Sequence, residues 1–231
     1  MLPPPASLHA ITLDLDDTLW PIGPTILRAE AALAAWLLQH APRVAERFDS
    51  AATIALRAAV ARDWPDRAHD LTALRRETIR RMLAASGEDE ALAAAAFDAF
   101  FAARQQVECY ADVRQALERL AARWPLLAVT NGNADLDRTG LSPWFVGRVC
   151  AQEVGVGKPD PRIFAAACDR LGVEPIRVLH VGDDLLLDVQ GALGAGMHAA
   201  WLRRGGCAPL VDAPPCWHGP DLLKLAENLG A

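Results

Sequence analysis

The chain has 231 residues, 52% of them hydrophobic, a formal net charge of −6 and a pI near 5.5. That apolar content can fill one large domain or a domain carrying an insertion. The acidic balance, with no run of Lys and Arg to neutralise a phosphate backbone, argues against a nucleic-acid-binding protein.

The N-terminal Met1-Leu2-Pro3-Pro4-Pro5 is neither basic nor followed by a long apolar segment, so no signal peptide and no membrane span is expected. The stretch up to about Leu19 reads as one strand that ends in Asp14-Leu15-Asp16-Asp17-Thr18. From Trp20 to about Val107 the pattern is helical. Ile26, Leu33 and Leu37 share one face, and Leu71, Leu74, Thr78 and Met82 share another in a helix that Gly87 closes. A following helix buries Leu92, Ala96, Phe97, Phe100 and Phe101. Beyond it, helices and strands alternate. Val113–Arg123 is helical, Leu126–Thr130 a strand, Val146–Ala151 a weaker strand and Pro161–Leu171 a helix with proline in its first turn. Val178–Val181 is a strand, Leu186–Leu193 a helix and His198–Leu202 a strand, while the Gly/Pro-rich stretch from Gly205 to Pro220 reads as an irregular loop. The expected fold class is α/β: a Rossmann-like parallel sheet core (residues 1–19 and 108–231) with an inserted helical cap domain (residues 20–107). Inserted helical modules beside a crevice often act as lids. Five scattered cysteines, Cys109, Cys150, Cys168, Cys207 and Cys216, form no Cys-x-x-Cys pair, and their odd number fits a reducing, cytoplasmic setting in which they pack rather than react.

Four strand-ending or turn segments carry chemistry. Asp14 and Asp16 are two apart in a strand, so they start on the same side and open into the crevice beyond its carboxyl end. Two carboxylates there repel, and a cation, a shared proton or a cationic side chain must offset the repulsion. Thr130-Asn131-Gly132-Asn133 ends an apolar strand in a hydroxyl, an amide and a glycine, suited to an anion. Gly157-Lys158-Pro159-Asp160 places a lysine in a turn before a helix, and Gly182-Asp183-Asp184 with Asp188 forms a dense carboxylate cluster after another strand.

In this order, Asp14-x-Asp16-x-Thr18, Thr130, Lys158 and Gly182-Asp183 with Asp188 resemble the four motifs of the haloacid dehalogenase-like hydrolase superfamily, and the helical insertion sits where that superfamily places its first type of cap. The wording of the motifs is similar to the bacterial branch that dephosphorylates 5-amino-6-(5-phospho-D-ribitylamino)uracil and FMN in riboflavin metabolism. The resemblance implies a Mg²⁺-dependent phosphomonoesterase acting on a small-molecule phosphomonoester, with no nucleic-acid or membrane partner. It implies Asp14 as nucleophile and Asp16 as general acid and base. It also implies Mg²⁺ on the Asp14 and Asp183 carboxylates and the Asp16 backbone carbonyl. Thr130 and the Asn131–Gly132 turn would hold phosphoryl oxygens, and Lys158 would screen Asp14 from the incoming anion. Thr18, Asp184 and Asp188 are expected to support this set. Asp184, where the wider superfamily often has Ser, would reach the metal through water or bond its own turn, and Asp188 would position Lys158.

Other readings stand beside these. Lys158 alone would be a surface lysine, His180 in its apolar strand a satisfied core histidine, and Asp17 a structural residue. Trp20 would stack on a substrate ring or pack the hinge. In the cap, Trp64, His69, Asp70, Thr72, Arg75 and Arg76 form the most polar and aromatic cluster. Trp64, His69 and Arg75 are the candidates for meeting the leaving group, although a solvated helix start would have the same composition. The competing activities are a 2-haloacid dehalogenase, which needs neither metal nor an acid for an alcohol leaving group, a sugar-phosphate mutase, and a non-catalytic phosphate-binding module.

Overall fold

The computed structural model describes residues 2–205 and 216–231. Six strands form one parallel sheet in the order β3-β2-β1-β4-β5-β6: β1 (Ala10–Leu13), β2 (Leu126–Thr130), β3 (Gly147–Cys150), β4 (Val178–Gly182), β5 (His198–Leu202) and β6 (Trp217–Gly219). Every residue of β1, β2 and β4 is buried, which is why these strands read as continuous apolar runs rather than as alternations. Helices α6 (Val113–Ala121), α7 (Ala151–Val154), α8 (Pro161–Leu171), α9 (Gly191–Gly194) and α10 (Leu222–Asn228) belong to the same unit. Leu127, Val129, Ile163, Phe164, Val178 and Val189 are among the buried residues that join α8 to the sheet. From β1 the chain runs outward through β2 to β3, then returns to β4 on the other side of β1. In open α/β sheets, the crevice outside the carboxyl ends of the strands at such a reversal is where ligands bind.

The chain divides into two compact units, residues 1–21 with 108–231, and residues 22–107. The second unit is helical: α1 (Ile22–His40), α2 (Pro42–Arg47), α3 (Ser50–Asp63), α4 (Leu71–Ala85) and α5 (Ala93–Arg104). Its core is built from Ala29, Leu33 and Leu37 of α1, Ile79, Met82 and Leu83 of α4, and Ala96, Phe97 and Phe100 of α5. Asp70 caps α4 by accepting from Ala73 N at 2.9 Å. Gly87, at φ 67°, ends it, with Gly87 N on Ala84 O at 3.1 Å and Glu88 N on Leu83 O at 3.0 Å. Leu71, expected on the buried face of α4, is 49% exposed, and the α4 residues of the buried core begin only at Ile79.

Two expectations change. Leu186–Leu193 is not one regular helix. Leu185–Gln190 is a π-helical turn, with Asp184 O accepting from both Asp188 N (3.1 Å) and Val189 N (3.2 Å), and α9 follows it. The stretch from Gly205 to Pro220 is not wholly irregular, since Trp217–Gly219 pairs with β5; residues 206–215, including Cys207, lie outside the described residues. No helix among the described residues is long and apolar enough to cross a membrane.

Candidate active site

The site is assembled at the carboxyl ends of β1, β2 and β4. Immediately after β1, Asp14 N donates to Val181 O of β4 at 2.9 Å, which carries the Asp14 side chain to the strand ends, where it is 7% exposed. The chain then turns sharply. Asp17 adopts φ 57°, uncommon for a residue with a Cβ, and its N–H donates to Trp20 O at 2.8 Å. This reversal brings Trp20 back over Asp16, so the indole Nε1–H donates to Asp16 Oδ1 at 2.9 Å. Trp20 is fully buried. Its ring offers no exposed face for stacking, and its role is to hold Asp16. Thr18 lies between two carboxylates: its hydroxyl is 2.8 Å from Asp183 Oδ1 and 3.3 Å from Asp14 Oδ2. One hydrogen serves one acceptor at a time, and the shorter contact is the hydrogen bond.

Lys158 is buried, and its ammonium donates to Asp14 Oδ1 and, at 2.6 Å, to Asp188 Oδ1. Asn131 clamps the lysine's backbone: its Oδ1 accepts from Lys158 N at 2.6 Å and its Nδ2 donates to Lys158 O at 3.0 Å. Gly157 is needed for this clamp, because a Cβ there would stand 2.7 Å from Asn131 Oδ1. The Asn131 side chain is thus committed to holding the Lys158 loop. Gly132 N–H donates to Thr130 Oγ1 at 2.9 Å, which leaves the Thr130 hydroxyl hydrogen to donate elsewhere.

At the end of β4, Asp183 is oriented through its backbone, with Trp201 Nε1–H on its carbonyl at 2.7 Å. Asp184 is exposed, and its carboxylate accepts from Leu186 N and Leu187 N, both at 2.8 Å, so it bonds its own turn. Asp188 lies under β4 and accepts from Lys158 Nζ, from His180 Nε2 at 3.2 Å and from Asp184 N at 3.0 Å. It packs so closely that a Cβ on Gly182 would fall 2.2 Å from its Cγ. Three contributors carry no signal of their own in the sequence. They are Trp201, Thr12 (which pairs with His180 across β1 and β4) and Arg204, whose Nη2 donates to Thr18 O at 2.8 Å and whose Nη1 meets Asp112 at 2.6 Å. The register of two strands and a contact spanning 186 positions are long-range facts that no local pattern encodes.

The electrostatics follow from burial. Loss of water pushes the Asp14 carboxyl up to about 8, although Lys158 beside it works the other way. Burial likewise lifts Asp183 to about 6 against the Thr18 hydrogen bond. For Asp188 burial also raises the value, but Lys158 and His180 outweigh it and hold the carboxyl well below the usual range. The Lys158 ammonium is disfavoured by burial and rescued by Asp14 and Asp188, which together hold it above the ordinary lysine range. One ammonium therefore faces three carboxylates. Asp14, Asp183 and Asp188 each offer an oxygen within 4.8 Å of the others, a hard oxygen set of the kind that binds Mg²⁺. Burial disfavours the ionised forms of Asp14 and Asp183, and a divalent cation held between them would favour those forms. Asp188 is already committed to Lys158, which leaves Asp14 and Asp183 as the side chains that fit a cation best.

The three leaving-group candidates lie in the helical unit. Trp64 is half-buried at the end of α3, and His69 is half-buried in the turn before α4. Arg75 is not free to meet a ligand directly: its Nη1 donates to Glu30 at 2.5 Å, and its guanidinium lies 4.2 Å from the Phe100 ring centroid. Burial lowers its pKa, opposed by Glu30. Arg76 is placed over Phe97 at 4.5 Å.

A buried aspartate at a strand end, faced by a lysine and a second acidic loop on a parallel α/β sheet, is an arrangement suited to hydrolysis by a carboxylate nucleophile. A family model for haloacid dehalogenase-like hydrolases matches residues 8–196, and the chain belongs to that family. It is 35% identical over 204 residues to the 5-amino-6-(5-phospho-D-ribitylamino)uracil phosphatase YigB of Escherichia coli (strain K12), with 87% of this chain and 85% of that protein covered. It is 38% identical over 140 residues to the phosphoserine phosphatase of Thermus thermophilus, covering 57% of this chain and 56% of the relative. Among solved structures, the 2-haloacid dehalogenase from Pseudomonas syringae pv. Tomato DC3000 superposes with a TM-score of 0.90 at 37% identity, covering 96% and 98% of the two chains. Family and named relatives together support a phosphatase of the haloacid dehalogenase type.

Proposed function

We propose that the chain is a Mg²⁺-dependent phosphomonoesterase that works through an aspartyl-phosphate on Asp14. The observation that carries this reading is the pairing of Asp14 with the Lys158 ammonium at the strand ends, with Asp16 two residues on and fixed by Trp20. Asp14 attacks phosphorus, the bond from phosphorus to the alcohol oxygen breaks, and Asp16 gives its proton to the leaving alkoxide. Water then attacks the aspartyl-phosphate and Asp16 takes the proton back, releasing phosphate and restoring Asp14. Lys158 balances the charge that gathers on the phosphoryl oxygens, and the Thr130 hydroxyl hydrogen donates to one of them. Asp14, Asp183 and the Asp16 backbone carbonyl would hold Mg²⁺, which supplies positive charge to the phosphoryl group.

For substrate we infer a ribityl phosphate attached to a flavin or a flavin precursor, FMN or 5-amino-6-(5-phospho-D-ribitylamino)uracil. The wording of the core motifs and the similarity to the Escherichia coli enzyme support this. Binding energy from the ring, remote from the reacting phosphorus, would place the phosphate against Asp14. A reducing, cytoplasmic setting accords with free Cys109, Cys150, Cys168 and Cys216.

A second reading, 2-haloacid dehalogenase, is favoured by the similarity to the Pseudomonas syringae structure. The presence of Asp16 and Asp183 argues for the phosphatase. One panel separates the two: phosphate release from FMN, the ribitylaminouracil phosphate, sugar phosphates and an aryl phosphate, and halide release from 2-haloacids, each with Mg²⁺ and with excess chelator. Phosphate release that needs Mg²⁺ and is fastest on the ribityl phosphates supports the proposal. Halide release unaffected by chelator would replace it, and a preference for sugar phosphates would keep the phosphatase while removing the flavin assignment.

A further inference from the structure

Behind the Lys158–Asp188 pair lies a second layer that the proposed mechanism does not use. Thr12 of β1 and His180 of β4 are register partners, and both are buried to within 1% of complete burial. Thr12 Oγ1 is 2.8 Å from His180 Nδ1, and His180 Nε2 is 3.2 Å from Asp188 Oδ1. The far side of the imidazole is closed by Phe164, edge-on at 5.1 Å between ring centroids. The hydrogen-bond directions follow from the acceptors. Asp188 is an ionised carboxylate and can only accept, so His180 Nε2 carries the hydrogen. Burial keeps the imidazole neutral, so Nδ1 has a lone pair, and the Thr12 hydroxyl must donate to it. The chain of donors therefore runs one way, from Thr12 through His180 to Asp188. Lys158 donates to the same Asp188 oxygen from the other side.

We propose that His180, aligned by Thr12, is a positioning residue: it pins Asp188 Oδ1 so that the Lys158 ammonium is held against the Asp14 carboxylate. Asp188 has two torsions of its own, and the His180 hydrogen bond constrains the oxygen on which the ammonium rests. An apolar side chain at position 180 would leave that oxygen with Lys158 alone. The ammonium would then keep its charge but lose its fixed place relative to Asp14. The inference goes beyond the phosphatase assignment and rests on it only for its kinetic arm.

The sequence makes the test unusually clean, because Lys158 and Lys224 are the only two lysines in the chain. Lys224 is exposed and pairs with Glu227 on the surface. Protein labelled with ¹⁵N-lysine thus yields two Nζ groups, of which the buried one alone exchanges slowly enough to give a sharp ammonium resonance. Spectra are compared for the wild type, His180→Leu, His180→Gln, Thr12→Val and Thr12→Ser, and kcat and KM for an aryl phosphate are measured on the same samples. His180→Leu should broaden or remove the Lys158 resonance. It should lower kcat roughly 10- to 100-fold, the scale for misplacing a reacting group by about 1 Å, with KM little changed. His180→Gln, whose amide nitrogen can replace Nε2–H, should restore the resonance and most of kcat. Thr12→Val should show a smaller loss of the same kind, and Thr12→Ser none. A folded His180→Leu protein with unchanged resonance and kcat would overturn the proposal, as would equal losses in His180→Leu and His180→Gln. Should His180→Leu not fold, the contrast between Thr12→Val and Thr12→Ser gives the answer by the same two readouts. A wild type that releases phosphate from no ester would remove the phosphatase reading, and the resonance comparison would still decide whether His180 positions Lys158.

Discussion

Replacing Asp188 with Asn is the sharpest perturbation the site allows. The two side chains have nearly the same shape, so packing against Gly182 is preserved. What changes is charge and hydrogen-bond polarity. Asp188 accepts from Lys158 Nζ and His180 Nε2 on Oδ1 and from Asp184 N on Oδ2. Asn can keep its carbonyl toward the first two, but its amide then faces the Asp184 N–H, donor against donor. The Lys158 ammonium, side chain 3% exposed, also loses one of its two carboxylates. Removing one partner of a buried ion pair costs about 3–5 kcal/mol. In a protein of this size that corresponds to a Tm lowered by roughly 6–20 °C. The effect should depend on pH. Asp188 in the folded protein is held well below its unfolded value, chiefly by Lys158 against the cost of burial. Its contribution is therefore complete above the unfolded carboxylate range, near about 3.9, and fades as pH falls toward the folded value. Scanning calorimetry at pH 7 and at successively lower pH measures both. A Tm within about 2 °C of wild type at pH 7, equivalent to under about 1 kcal/mol, would refute the reasoning that this carboxylate is the anchor of the lysine.

In the helical unit, Glu77 accepts from Arg80 Nε at 2.7 Å and Nη2 at 2.8 Å and from Arg81 Nε at 2.8 Å, and these bonds, Arg80's first, hold its carboxyl at about 2 despite its burial. Glu77→Gln should cost about 1.5–3 kcal/mol near neutral pH, and the difference from wild type should shrink as pH falls from the unfolded glutamate range toward 2; thermal melts of both proteins across that window check it, and a gap independent of pH would contradict it. Asp16→Asn should leave the fold intact, since Asn keeps an oxygen for the Trp20 indole, while lowering kcat roughly 10²–10⁴-fold; steady-state kinetics with melting as control tests this, and a loss matched by unfolding would deny Asp16 a chemical role.

Much of this is legible in the sequence because buried parallel strands announce themselves. Leu126–Thr130, His198–Leu202 and the helix Pro161–Leu171 have the bounds that their apolar runs and turn residues indicate. The acidic and lysine segments do meet, because Asp14 and Asp183 follow strands β1 and β4 at the same edge of one sheet and Asn131, just after β2, holds the Lys158 loop there. What stays hidden is long-range or depends on backbone detail. The π-helical turn at Leu185–Gln190 has an ordinary helical composition, yet it carries Asp188 under β4. Position 20, next to the motif, reads as a ring to stack or a hinge to pack; a positive φ at Asp17, which no residue type there requires, turns its indole onto Asp16. Arg75 looks available in the sequence because its partner Glu30 sits 45 positions away on another helix. Among the cysteines, Cys150, Cys168 and Cys216 are buried as packing residues, while Cys109 is only partly covered.

The central claim is that Asp14 becomes covalently phosphorylated. The direct measurement is to mix the protein with a ³²P-labelled phosphomonoester and Mg²⁺, quench in acid within the first turnover, and map the labelled peptide beside an Asp14→Asn control. The account predicts acid-stable, hydroxylamine-sensitive label on the peptide containing Asp14, and none in the control. Label on another residue, or phosphate released at the wild-type rate by Asp14→Asn, would contradict it.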